Sequence, residues 1–227
     1  MNEGWLKSRV LGFAFLFQGL TSLTSGLFFA SAMKAGGEPG TMLATLAANP
    51  LFARAGILCD MGTALGVIFL GAALCVALRK HGEILALTGF GFYVLEGALI
   101  AAGRIDAFAL LRMGQEYVTA GSPPLLGALA AIGSDAAAFG SMTLSMLAFS
   151  AGALPLYYLI LKSRIVPRPI GAWGLLSALF CAAGTLLSIL GYPPPMVFYA
   201  PYIPFEFFIA AWIIVRGVKD IPSGARS

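Results

Sequence analysis

Four carboxylates stand inside long apolar stretches of this chain: Asp60, Glu96, Asp135 and Glu206. An aspartate at the centre of an inserting helix costs about 2.5–3.5 kcal/mol, and less toward the interface. Side chains retained at that cost face a bundle interior or a wet cavity. Carboxyl groups crowded together in a low dielectric resist ionising together, so a protonated donor can stand beside an ionised acceptor. That pairing is acid–base chemistry, able to protonate an alkene, open an epoxide or hydrolyse a polar head group. Asp60 and Glu96 are the expected acid–base pair, being the deepest of the four. Tyr93, Arg104, Asp135, Tyr202 and Glu206 are expected to line the same site as ligand-binding groups.

Neighbouring residues fit a packed interior. The helical face of Asp60 reads Gly56, Thr63, Ala64, Val67 and Gly71, and Gly62 with Gly66 forms a GxxxG pair suited to close helix contact. Glu96 has Phe92 and Tyr93 one turn away, and Glu206 has Tyr202 one turn before it. Each acid also has a plainer reading. Asp135, after Gly133 and Ser134, would cap a helix. Glu206, following prolines, would complement a helix dipole. An Asp60–Arg104 or Glu96–Arg54 ion pair would simply hold the bundle together. Tyrosines and tryptophans near span ends are commonly interfacial anchors.

The elements that must hold these residues are membrane spans. Of 227 residues, 59% are hydrophobic and 11% charged, and the mean hydropathy is +0.89. Soluble domains are about 25% charged, so a water-soluble globule is excluded, and a disordered chain with it. Six stretches reach the roughly 20 apolar residues a crossing helix needs. They lie near Val10–Ala32, Ala53–Leu78, Ile84–Ala102, Ile132–Leu161, Gly171–Tyr192 and Tyr202–Val215. Alternating polarity is missing, which argues against a β-barrel. The expected fold is therefore a single all-α domain over residues 1–227, a polytopic bundle of six spans.

Cations set the orientation. Placing the N-terminus in the cytoplasm puts Lys7, Arg9, Arg79, Lys80, Lys162, Arg164, Arg168, Arg216, Lys219 and Arg226 inside, and only Lys34, Arg54, Arg104 and Arg112 outside. Positive charge prefers the cytoplasmic side, so both termini are expected there. All four acids then fall in the outer half of the bilayer, as if converging on one outward-opening pocket. The same bias explains the pI near 9.1 without a nucleic-acid partner. Met1–Arg9 is too short and polar for a cleaved leader, so the first apolar run is expected to be retained. The outer connections are long: Lys34–Phe52, with Gly36, Gly37, Pro39 and Gly40 before an amphipathic Thr41–Ala48, then Gly103–Ser122. Both suit short interfacial helices. Tyr192–Pro201, with Pro193, Pro194 and Pro195 in a row, is expected to be an extended loop.

Cofactor chemistry finds little support in the residues. Cys59, Cys75 and Cys181 each sit alone in an apolar run and read as small apolar residues. His81 is the single histidine, too few for paired haem ligands or a typical catalytic zinc site. No glycine-rich phosphate loop with a lysine is present. No cofactor or metal is expected.

Three stretches resemble a family of bacterial integral membrane proteins, DUF4386. They are the second span with Arg54 and Asp60, leading to Glu96; Tyr157–Leu179, where Pro167, Arg168 and Gly171 mark a basic turn between helices; and Pro204–Gly217, with Glu206, Trp212 and Arg216. The resemblance implies a multi-pass helical protein of the bacterial inner membrane and supplies no catalytic residue. Three functions remain open. The pocket would bind, and by acid–base chemistry act on, a membrane lipid or small amphiphile. The same acids would serve a proton-coupled transporter, although an inverted repeat would place polar residues on both sides of the midplane. Or the chain is a non-catalytic scaffold whose acids are structural pairs.

Overall fold

The computed structural model describes the backbone of residues 3–33, 38–192 and 194–218, and the side chains of 9–32, 38–192 and 194–218. The side chains of Lys7, Lys34, Lys219 and Arg226, and Gly36, Gly37 and Pro193 of the connections expected on the outer side, lie outside the described residues. The helices are α1 (Glu3–Met33), α2 (Pro39–Ala48), α3 (Pro50–Leu78), α4 (Glu83–Thr119), α5 (Pro124–Ala138), α6 (Ser145–Ser163), α7 (Arg168–Ile189) and α8 (Tyr202–Arg216). Pro39, Pro50 and Pro124 open α2, α3 and α5. A proline in the first turn forfeits no hydrogen bond, because that N–H has no intrahelical acceptor. Left-handed residues turn the chain elsewhere. Gly121 (φ 74°) and Ser122 (φ 62°) reverse it between α4 and α5, and Gly217 (φ 71°) ends α8.

Six segments are long and apolar enough to cross a membrane: Arg9–Ala32, Pro50–His81, Glu83–Thr119, Pro124–Ser163, Arg168–Ile189 and Met196–Arg216. The fourth joins α5 to α6 through a wider π-helical turn, Phe139–Leu144. The spans pack in a closed ring, α1 on α3, α3 on α4, α4 on α6, α6 on α7, α7 on α8 and α8 back on α1. In that order α4 and α8 stand on opposite sides. The ring encloses the main core, with Phe15, Leu70, Leu74, Tyr93, Leu156, Tyr157 and Phe205 fully covered. Outward-facing Leu58, Leu65, Val76 and Leu186 are 53–74% exposed. In water such a belt would be an aggregation surface; in a bilayer it is lipid contact.

The third and fourth spans differ from their expected bounds. α4 does not stop at Ala102 but runs on to Thr119, so Gly103–Ser122 forms no separate interfacial helix. Its 37 residues rise about 55 Å, against about 30 Å of hydrocarbon. The extension carries Arg104, Asp106, Arg112 and Glu116, whose charges suggested a break. The helix persists because neighbours cover its apolar face. α2 forms as expected but docks there, with Leu43 and Leu46 buried against Leu110 and Leu111 in a second core. The approach is close: a Cβ on Gly114 would sit 2.7 Å from the Leu43 carbonyl oxygen. The fourth span begins at Pro124 rather than Ile132. Asp135 is consequently near the end of α5, and its reading as an N-cap is overturned. Within Tyr192–Pro201 the chain makes a short 3-10 turn, Met196–Phe198, rather than staying extended.

Candidate functional site

Glycines bring the helices close enough for side chains to meet inside the ring. Tyr93 on α4 is clasped from two sides. A Cβ on Gly71 of α3 would lie 2.6 Å from its Cβ, and one on Gly152 of α6 would lie 2.8 Å from its ring. Gly89 and Gly152 let α4 and α6 touch at the backbone, a Cβ on either lying 2.9–3.0 Å from the other's carbonyl oxygen. Across the ring, the Glu206 carboxyl on α8 rests on Gly19 of α1, where a Cβ would be 3.3 Å away.

Glu96 and Glu206 are 9% and 6% exposed and lie within each other's electrostatic range. The hydroxyls of Tyr93, Tyr157 and Tyr202 sit in the field of both carboxyls. The Tyr202 hydroxyl donates to Glu206 Oε1 at 3.3 Å. Glu96 Oε2 and the hydroxyl oxygens of Tyr93 and Tyr157 are buried with no hydrogen-bond partner among the described residues. No cationic side chain pairs with either glutamate among them. Rings surround the group. Phe149 lies 6.2 Å from Tyr93 and 4.6 Å from Tyr202, and Phe205 lies 5.3 Å from Tyr157 and 5.8 Å from Trp173, centroid to centroid.

Asp60 belongs to a different group. Its carboxylate is bound by Arg104 Nη1, the two side chains being 17% and 13% exposed. Arg104 Nε also donates to the Ile100 carbonyl at 3.2 Å, and its guanidinium lies 5.3 Å from the Phe29 ring centroid. The structure therefore brings Asp60 together with Arg104, and Glu96 together with Glu206, Tyr93 and Tyr202. It does not bring Asp60 to Glu96. Asp135 is exposed on α5 and joins neither group, and Arg54 is exposed at the start of α3 rather than paired with Glu96.

One member of the buried group escaped the sequence reading. Tyr157 is fully covered while its neighbour Tyr158 is 46% exposed. Nothing in two adjacent tyrosines says which faces inward, and the Tyr157 hydroxyl, though in the field of Glu206, makes no hydrogen bond that a pairing rule could have anticipated. The cysteines are free, Cys75 and Cys181 buried and Cys59 partly so. Among the described residues no group of histidine, cysteine or acidic side chains is placed to hold a metal ion.

A ring of six apolar helices with ionisable groups sealed inside it is a multi-pass helical membrane protein. The chain belongs to the DUF4386 family, a domain of unknown function, whose family model matches residues 10–217. The match spans the whole ring and both acid groups. No curated protein and no solved structure matches it.

Proposed function

We propose that this protein is a proton-coupled carrier of small molecules in the bacterial inner membrane, with both termini cytoplasmic and Glu96 and Glu206 as its proton-binding centre. One observation carries the reading: two carboxyls from opposite sides of the ring lie within each other's electrostatic range in the interior, with no cationic side chain paired to either among the described residues. A buried charge left uncompensated is strongly unfavourable, so the pair requires a positive charge from elsewhere, and a proton is the smallest. The hydroxyls of Tyr93, Tyr157 and Tyr202 are within the field of that charge and suit its transfer. Because the backbones of α4 and α8 stay apart, no Cα of one lying within 8 Å of the other, a change of protonation between their side chains acts across the ring. Asp60 and Arg104, satisfied by one another, are a structural pair in this reading.

Infrared spectroscopy of the purified full chain in lipid nanodiscs tests it. At neutral pH the wild type should show a protonated-carboxyl stretch that shifts in heavy water. Glu96→Gln and Glu206→Gln should each weaken or remove the band, and Asp60→Asn should leave it. A spectrum unchanged by either glutamine variant, or a band that does not exchange with solvent deuterium, would overturn the proposal.

A further inference from the structure

Beside the buried group is a cavity of about 250 Å³ between the π-helical turn, the end of α7 and the 3-10 turn before α8. Its wall contains Met142, Met146, Met196 and Tyr199, with the hydroxyls of Thr143 and Ser188. Met146 and Tyr199 also pack on the main core. The Tyr202 N–H donates to the Tyr199 carbonyl at 3.1 Å, and the Tyr202 side chain reaches Glu206 one turn further on. Tyr202, whose ring packs at a tilt on Phe149 with centroids 4.6 Å apart, thus links the cavity's Tyr199 to Glu206.

We propose that this cavity is the vestibule of the Glu96–Glu206 centre and that it admits small lipophilic amines, whose ammonium group takes the place of the proton. The inference rests on the proton-binding reading and adds the substrate class. The lining decides the class. Three flexible, polarisable thioethers and a tyrosine ring adapt to apolar bodies of varied shape, and among the described residues no charged side chain lines it to hold an anion. The aromatic faces beyond it favour a cation, and the two carboxyls select one. An ammonium ion entering as one proton leaves keeps the charge of the centre constant.

The neighbouring backbone provides slack for passage. π-Helical turns are rare and concentrate at functional sites. This one contains Ser141 and is followed by Ser145, whose hydroxyls bond back along the helix, Ser141 to the Ala137 carbonyl and Ser145 to the Ser141 carbonyl, a pattern that bends helices. A shift there moves Met142 and Met146 on the vestibule wall.

The probe is phenethylamine, protonated at neutral pH, titrated calorimetrically into the purified full chain in weakly buffered detergent with a pH indicator. The expected result is binding with release of about one proton per amine, and no binding of the neutral isostere phenethyl alcohol. Met142→Trp and Met196→Trp change side chains that are 58% and 70% exposed. They should fold, fill the cavity, weaken amine binding by about tenfold or more and keep the protonated-carboxyl band. If that band is present yet the wild type binds no amine, or the tryptophan variants bind as the wild type does, the vestibule is refuted while the proton centre stands. If the band is missing, both fall together.

Discussion

Asp60 and Glu96 are both acids within long apolar helices, yet their surroundings give them opposite chemistry. Asp60 has a guanidinium against it and Glu96 has a second carboxyl. A sequence displays the acids but not their partners. Arg104 lies 44 positions from Asp60, on the neighbouring α4. Helix α3 carries Arg54 and Asp60 while α4 carries Glu96 and Arg104, so an Asp60–Arg104 or a Glu96–Arg54 pair fits the sequence and only the register of α3 against α4 selects the first. The pair predicts a measurable asymmetry. Removing one partner of a buried ion pair leaves the other charge stranded, whereas replacing both with apolar groups is often neutral. Because both side chains here keep some exposure, screening reduces the penalty. Asp60→Asn or Arg104→Gln should cost about 1–3 kcal/mol, and the double variant Asp60→Leu with Arg104→Met should recover most of it. Thermal unfolding in detergent, followed by fluorescence-detected gel filtration, reads the difference. Single variants that melt with the wild type would show that water already screens the pair.

Helix contacts in this bundle are made by glycines, and burial rather than residue type tells which of them matter. Gly152 and Gly91 look alike in the sequence. A Cβ on Gly152 would meet the Tyr93 ring at 2.8 Å and the Gly89 carbonyl at 2.9 Å, while one on Gly91 would meet nothing within 4 Å. Gly152→Ala should therefore force α4 and α6 apart, at a cost of about 1–3 kcal/mol typical of overpacking. It should also displace Tyr93 from the glutamates, weakening the infrared signature. Gly91→Ala should be neutral or stabilising by up to about 1 kcal/mol, since alanine is the better helix former. Equal melting temperatures for the two variants would contradict the packing. The Gly62–Gly66 spacing correctly announced a close-packed face, which α1 occupies through Thr21, Phe17 and Gln18. Span number and helical class were readable from runs of apolar residues. The length of α4 was not, because Arg104 and Asp106 resemble a boundary until α2, packed from a distant part of the chain, is seen covering the helix beyond them.

For the molecule as a whole, the distribution of charge predicts the direction in which the buried group and the proposed vestibule face. The Arg9 Nε–H donates to the Ile214 carbonyl at 2.8 Å, and Lys162 Nζ to the His81 carbonyl at 3.3 Å. The first contact brings the beginning of α1 to the end of α8, and the second joins the α3–α4 and α6–α7 turns. Alternating spans put all of them at one end, together with Arg79, Lys80, Arg164, Arg168 and Arg216. Arg54, Arg104 and Arg112 lie toward the other. Cytoplasmic retention of the richer end would direct the long α4–α5 hairpin and the Met196–Phe198 turn outward. Site-directed labelling decides the matter in a background with Cys59, Cys75 and Cys181 replaced by alanine. A cysteine introduced by Thr119→Cys, exposed at the tip of α4, should react with an impermeant maleimide on intact cells. One introduced by Lys80→Cys, exposed in the opposite turn, should react only after permeabilisation. The reverse pattern would turn the vestibule toward the cytoplasm and make any amine taken up there cargo for export.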